Sequence, residues 1–293
     1  MRYFFYKIGL KSKILLYKFG IKPSFKSYGF KIKKYDLLDH GQVEYAQWLH
    51  PAEGQHQIKQ DVIRELQDFL KEGDFCIDIG AHTGDTTIPM ALAVGKKGCV
   101  LALEPNRYVY QILEKNSSLN IDKTNIVPLM AAATLEEGEY EFEYLDPGFC
   151  NGGLNQRLKR SKLIHPFKLK VTGINLSSKL RNEYQDRLAN LKFIKIDTEG
   201  YDLSVLRSIE DIIHEYHPFL RVEVLRGSSF EYRKEMYELL SKMGYAISRV
   251  NRDSDLKGLR IADYDLMNCE HYDIFCVPSI RKVNQKHSIN VNE

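Results

Sequence analysis

Apolar residues along the chain recur in two alternating rhythms. From Gln57 to Leu70 the apolar positions Ile58, Val62, Leu66 and Phe69 follow helical spacing, and Gly73-Asp74 breaks it before the continuous run Phe75-Cys76-Ile77. The pattern predicts helix, turn and buried strand. It then repeats: a helical stretch stops at Val94-Gly95, and a second apolar strand runs from Val100 to Leu103. A helix over about Arg107 to Leu119 carries Val109, Ile112 and Leu113 as its buried stripe, and Ile126-Val127 opens a third strand. Further strands are predicted at Phe193 to Ile196, Leu220 to Val224, Tyr245 to Val250 and Ile274 to Val277. One helix is predicted over Asp202 to Ile213 with Leu206, Ile209 and Ile213 on one face. Another is marked by Tyr232, Met236, Leu239 and Met243 and ended by Gly244. Strands alternating with helices in this way predict βαβ units and an α/β fold.

Residues from about Ala133 to Leu191 alternate less cleanly. Tyr140 to Tyr144 and Lys168 to Ile174 read as strands flanking the Gly/Asn-rich Pro147 to Gly153, which predicts an inserted hairpin or lid. No internal repeat appears and the nine prolines are scattered, so one main domain with appendages is expected. The divisions are a basic appendage at 1–56, a main domain at 57–279 with the insertion at 133–191, and a flexible tail at 280–293.

Composition changes this picture in three places. At 293 residues with 43% apolar and 28% charged side chains, the chain is long enough to bury about 75% of its unfolded surface, which excludes a disordered or stapled miniature fold. The net charge of +3 is local: residues 1–35 hold ten of the 42 Lys/Arg and no acid, leaving 32 basic against 39 acidic residues elsewhere, a balance of −7. A nucleic-acid partner is therefore not implied. The odd set Cys76, Cys99, Cys150, Cys269 and Cys276, without a C-x-x-C pair, fits free thiols in a reducing, cytoplasmic setting.

Lys7, Lys11, Lys13 and Lys18 interrupt the apolar N-terminal stretch, so no run reaches the roughly 18 residues of a membrane span, and no secretory segment is read. Phe4, Phe5, Ile8, Leu15, Leu16 and Phe19 among those cations suit peripheral contact of residues 1–35 with an anionic membrane surface. A capping subdomain with a solvated basic face fits them as well, since Gly9, Gly20 and Pro23 limit a continuous helix.

The candidate chemistry sits where strands end. Asp78-Ile-Gly80-Ala-His82-Thr83-Gly84-Asp85 lies between a buried strand and a helix, and its glycines permit a tight turn and close ligand approach. A dinucleotide loop would read G-x-G-x-x-G. Here Asp78 occupies the first glycine position and Asp85 follows the loop, which disfavours a diphosphate and suits a ligand with a sulfonium or ammonium, such as S-adenosylmethionine. A capping acid with turn glycines is the plain alternative.

Glu104 closes the second strand, twenty positions after Gly84, where a carboxylate can accept ribose hydroxyls; an acid near a helix start explains it as well. Lys195-Ile-Asp197-Thr-Glu199-Gly-Tyr-Asp202 again follows a strand, so Asp78, Glu104 and Asp197 would share one sheet edge. Asp197 and Glu199 are the candidate proton acceptors, and Asp202 reads as a helix cap. Glu223, within an apolar strand, reads as a structural ion-pair partner ahead of a catalytic group. His82 is placed to touch ligand without titrating. The tyrosines and the lone Trp48 read as packing residues, and no histidine spacing suggests a metal site.

Phe75 to Gly84, Leu103-Glu-Pro-Asn106 and Lys195 to Gly200, in that order, resemble the FkbM family of S-adenosylmethionine-dependent methyltransferases over about Gly73 to Val277. The resemblance implies a class I methyltransferase (Rossmann-like) three-layer sandwich. Its seven-stranded sheet would be mostly parallel with the last strand antiparallel, and would carry an insertion between the third and fourth strands. It also implies cofactor contacts at Asp78, Gly80, His82, Thr83, Gly84, Glu104 and Asn106, with Asp197 and Glu199 in the signature after the fourth strand. His82-Thr83 stands where many relatives carry Asn-Ile, and Asn175-Leu-Ser-Ser178 replaces a commoner acidic pair.

The expected activity is O-methylation of a hydroxyl on a sugar, a glycan precursor or a small metabolite, with no metal ligands assigned. An NAD-dependent oxidoreductase and a non-catalytic nucleoside-binding module are the rival readings.

Overall fold

The protein is described from a computed structural model covering residues 12, 15, 19, 26–144, 152–153, 167–250, 260–261 and 271–279. An antiparallel hairpin comes first, formed by β1 (Phe30–Leu37) and β2 (Gly41–Trp48). Helix α1 (Gln60–Gln67) leads to β3 (Phe75–Ile79), followed by α2 (Thr87–Val94), β4 (Cys99–Leu103), α3 (Arg107–Ser117) and β5 (Ile126–Leu129). After the insertion come β10 (Leu191–Ile196), α6 (Asp202–Ser208), α7 (Glu210–Tyr216) and β11 (Phe219–Val224). Helix α8 (Phe230–Lys242) and strands β12 (Tyr245–Val250) and β13 (Tyr272–Pro278) complete the domain.

The sheet order is β12-β13-β11-β10-β3-β4-β5, with β13 antiparallel to both neighbours and the other pairings parallel. This is the mostly parallel seven-stranded sheet that the family resemblance implies. The chain fills β3, β4 and β5 to one side of centre, then crosses to β10 and β11 on the other. The crevice at the carboxyl ends of β3 and β10 is therefore the topological switch point, where ligands bind in open parallel sheets.

Alternation along each strand divides the core into two faces. Ile77, Ile79, Leu101, Leu103, Ile194 and Ile196 join the side covered by α6, α7 and α8, whereas Cys76, Val100, Phe193 and Phe275 face α1 and α2. Asp78 and Lys195 share the second face, and the strand register sets Lys195 beside Asp78 on β3 and Arg221 on β11. Three charged side chains are thus brought together by pleat and register.

The inserted region holds β6 (Ala132–Thr134), β7 (Gly138–Tyr144), β8 (Gly152–Gly153) and β9 (Phe167–Asn175) in a second sheet, ordered β6-β9-β7-β8. Helices α4 (Leu176–Glu183) and α5 (Gln185–Leu188) follow, and Leu176, Leu180 and Leu188 are buried in the main core. The tail of the 133–191 stretch therefore packs with the main sheet. Most of Pro147 to Gly153, most of the basic stretch before residue 26, Cys150, Cys269 and the 280–293 tail lie outside the described residues.

Two helices differ from expectation. The one read over Asp202 to Ile213 breaks at Ile209, whose backbone leaves helical geometry at φ −125° and ψ 19°. The break lets Leu206, Ile209, Ile212 and Ile213 all stay buried. The one read from Gln57 begins at Gln60. Pro89 is the third residue of α2, in the first turn, where proline is tolerated. Cys76, Cys99 and Cys276 are buried free thiols. Among the described residues no helix is long and apolar enough to cross a membrane.

Candidate active site

The loop after β3 is shaped by close backbone approach. Gly80 has φ +82°, and a Cβ there would lie 1.8 Å from the carbonyl oxygen of Asp197, so no side chain fits. Gly80 and Ala81 both donate to the carbonyl of Leu103, at 3.0 and 2.8 Å, and Asp197 donates its N–H to Ile79 at 3.0 Å. The ends of β3, β4 and β10 are thereby stitched into one floor.

Glu104 is buried at the end of β4. Its Oε1 accepts the N–H of Asn106 at 2.7 Å and its Oε2 that of His82 at 3.1 Å. Each oxygen keeps a second lone pair for a ligand hydroxyl. Burial raises the Glu104 pKa, opposed by His82 and the two N–H groups. Asn106 caps α3 by accepting from Tyr108 N–H at 3.0 Å, so its side chain is committed to the helix start.

Behind the loop runs a ladder of charge. Asp78 Oδ2 accepts from the hydroxyls of Thr86 and Thr87, at 2.9 and 2.7 Å, while its Oδ1 lies 3.6 Å from Lys195 Nζ. Lys195 donates to Asp197 Oδ2 at 3.1 Å. Burial alone would lower the Lys195 pKa, but Asp197 and Asp78 outweigh it and hold the ammonium charged well above the usual lysine range. A lysine at 5% exposure is tolerable only with such partners.

The loop after β10 is held from below by two carboxyl groups. Asp202 accepts the N–H and hydroxyl of Thr198, at 2.8 and 2.9 Å, and the N–H of Gly200 at 3.1 Å; Glu223 accepts the N–H of Glu199 at 3.0 Å. Asp202 is therefore the first residue of α6 without being its cap, because its carboxyl reaches back to the preceding loop. Burial, then the nearby charge of Asp197 and Asp202, pushes the Glu223 carboxyl up to about 10, and burial foremost pushes Asp202 up to about 7. Glu223 has His271 Nδ1 at 3.6 Å, but burial and the surrounding acids disfavour its charged form. Glu199 takes φ +56°, a left-handed geometry sustained by these bonds.

These loops enclose a crevice of about 240 Å³. Its apolar lining includes Val109, Ala132, Phe142 and Tyr144, the last two supplied by β7 of the inserted sheet. Its charged lining includes Asp197, Glu199 and Glu104. Of the residues expected at a cofactor, Gly80, His82, Glu104 and Asn106 line the crevice, as do Asp197 and Glu199. Asp78, Thr83 and Gly84 do not. Asp78 is wholly buried under Thr86 and Thr87, Thr83 turns away to Tyr45, 2.8 Å between hydroxyls, and a Cβ on Gly84 would meet the Leu113 side chain at 3.1 Å. Their contribution is to the shape of the loop, because α3 and β2 close over them from behind.

Several site-forming residues carry no local signal. Asn116 on α3 accepts the N–H of Ala46 at 2.7 Å and donates to the carbonyls of Ala46 and Thr83, at 3.2 and 2.7 Å, joining the N-terminal hairpin to the cofactor loop. Trp48 packs edge-on to His82 with centroids 5.8 Å apart, in keeping with a packing role. His56 bonds Glu53 at 2.6 Å and Asp85 at 3.2 Å. Burial would lower its pKa, but those two carboxylates raise it to about 10, and Asp85 in turn is held well below the usual carboxylate range against its own burial. Lys195 opens the signature around Asp197, but the sequence assigned it no role.

The residues fit an adenosyl sulfonium: an apolar slot for a base, a buried carboxylate in the wall for ribose hydroxyls, and carboxylates where a cation would lie. Asp78 Oδ1 and His82 Nε2 are buried without a hydrogen-bond partner among the described residues, so polar capacity is left at this loop. Among the described residues no group of three or more His, Cys, Asp or Glu is placed to hold a metal ion.

A model of the methyltransferase FkbM domain matches residues 78–247. Similar solved structures include methyltransferase FkbM from Methylobacillus flagellatus KT, at 14% identity and TM-score 0.43 over 70% of this chain. The chain spans only 44% of that protein's length. Fibrillarin from Aeropyrum pernix with natively bound S-adenosyl-L-methionine aligns at 13% identity and TM-score 0.41, over 87% of this chain and 99% of its own. An S-adenosylmethionine-dependent O-methyltransferase from Thermotoga maritima aligns at 13% and 0.39, over 87% and 79%. Among curated proteins nothing matches.

Proposed function

The chain belongs to the FkbM family of S-adenosylmethionine-dependent methyltransferases, and on that premise we propose that it methylates a hydroxyl oxygen on a sugar, a glycan precursor or a small metabolite. The observation that carries this reading is that Asp197 and Glu199 both line the crevice, with Lys195 fixing Asp197 through Oδ2. The cofactor supplies a methyl group on a positively charged sulfur, open to in-line attack. Glu104 would receive the ribose hydroxyls, and Phe142 and Tyr144 the adenine.

Asp197, or Glu199 beside it, would accept the hydroxyl proton as the acceptor oxygen forms its bond to the methyl carbon and the carbon–sulfur bond breaks. The base must lie within about 3 Å of that hydroxyl, so positioning supplies much of the rate. Glu223, held protonated, is left to support the loop. The acceptor is read as a small molecule or glycan and not a nucleic acid, since the excess positive charge is confined to residues 1–35. Free buried thiols at Cys76, Cys99 and Cys276 support a reducing, cytoplasmic setting. The nicotinamide alternative is set aside on family membership, and Asp85, kept ionised by His56, opposes a diphosphate at this helix start.

The test is Asp197→Asn. Turnover with a labelled methyl donor should fall by about two orders of magnitude, as for loss of a general base, while the cofactor Kd by titration calorimetry moves far less. An unchanged rate removes Asp197 from the chemistry. Cofactor binding without turnover on any hydroxyl acceptor would favour a non-catalytic module.

A further inference from the structure

A second cavity, of about 520 Å³, adjoins the cofactor crevice and shares Asp85, Thr86 and Lys195 with it. We infer that this cavity is the acceptor site, and that the acceptor it takes is an uncharged polyhydroxylated ring. The inference rests on the methyl-transfer reading above and deepens it.

The connection comes first. Lys195 lines both spaces and donates to Asp197, so the second cavity abuts the side chain that fixes the candidate base. Phe142 and Tyr144 line only the first space.

The chemistry of the walls comes next. Gln57, Lys59 and Asp61 form the outer rim, and Pro89, Met90 and Phe193 contribute apolar surface below. Amide and carboxylate groups above an apolar floor match a ring whose hydroxyls point outward and whose C–H faces are flat. The cations in the walls are already matched: His56 by Glu53 and Asp85, Lys195 by Asp78 and Asp197, and Arg221 by Asp273 at 2.7 Å. At the rim Lys59 is accompanied by Asp61 of opposite sign. A phosphorylated or carboxylated acceptor would call for a surplus of convergent cations, and this cavity has paired ones instead. Gln55 to Asp61 also lie outside the 78–247 stretch matched by the family model, so acceptor choice is assigned partly to a segment before the matched domain.

The experiment uses the full chain, labelled S-adenosylmethionine and a panel of three acceptor kinds: methyl glycosides of glucose, galactose, mannose and rhamnose; the corresponding hexose phosphates; and linear alcohols. A methyl glycoside should be methylated in preference to the other two kinds. Gln57→Trp, which fills the exposed wall, should raise its KM by about tenfold or more with the cofactor Kd within about twofold. Preference for phosphates or alcohols overturns the inference, as does a Gln57→Trp enzyme with unchanged KM. Cofactor binding with no glycoside turnover also overturns it. Failure to bind S-adenosylmethionine at all would instead strike the methyl-transfer reading, so the two failures are distinct.

Discussion

Gly80 and Asp197 approach so closely that a methyl group on the first would sit 1.8 Å from the carbonyl oxygen of the second. The contact joins the loop after β3 to the loop after β10, and it is the reason the cofactor loop and the candidate base keep a fixed separation. Gly80→Ala combines that overlap with a left-handed φ of +82°. It should destabilise the fold by about 2–4 kcal/mol and abolish measurable cofactor binding. Denaturant unfolding with calorimetry reads both, and a fully stable, cofactor-binding Gly80→Ala protein would refute the close approach.

Lys195 stands between Asp78 and Asp197 with almost no solvent. Removing one partner of a buried ionic group is costly because the others remain charged and unsolvated. Lys195→Met should cost about 3–5 kcal/mol, and the double variant Lys195→Met, Asp78→Leu should recover part of that loss. A double variant no more stable than the single one would show that Asp78 is not the group left uncompensated.

His56 ties the segment before α1 to Asp85 at the start of α2. Its folded pKa of about 10 lies above the ordinary 6.5, so its stabilisation is complete below about pH 6.5 and fades as pH rises through about 10. Asp85 is shifted downward, so its share is present above the ordinary 3.8 and fades on acidification. Between pH 6.5 and 10 the Tm of the unaltered protein should therefore fall toward that of His56→Gln. Parallel Tm profiles over this range would show that the imidazolium bridge contributes nothing.

Glu223 is predicted to be neutral and to serve as an acceptor for Glu199 N–H. Glu223→Gln keeps an oxygen acceptor without a titratable proton, so stability and turnover at pH 7 should stay near their starting values. Glu223→Ala leaves the Glu199 N–H unbonded and should cost about 1–3 kcal/mol. Loss of turnover in Glu223→Gln with normal Tm and cofactor Kd would make Glu223 a proton-transfer group.

Phe142 enters the crevice from the inserted sheet, although it is 38 positions beyond Glu104 in the chain. Phe142→Ala should raise the cofactor Kd by about tenfold through loss of aromatic contact. An unchanged Kd would move the adenine away from this wall.

The sequence by itself determined the βαβ succession, the three strand-end clusters at Asp78, Glu104 and Asp197, and the glycine positions, because each depends on local chemistry. Apolar period distinguishes helix from strand, and a glycine after a buried strand announces a turn wherever the rest of the chain lies. Tertiary structure decided what those clusters do. Asp78 carries the expected residue type, yet it and Thr83 are sealed from the crevice by Thr86, Thr87 and Tyr45. Asp202 occupies a helix start yet serves the loop before it.

The β1–β2 hairpin, Asn116 and His56 became legible only once distant segments met. Asn116 finds its partner Ala46 seventy positions earlier. Such bonds leave no periodic trace, since a buried amide or imidazolium is stabilised by groups whose distance along the chain is unrelated to their distance in space.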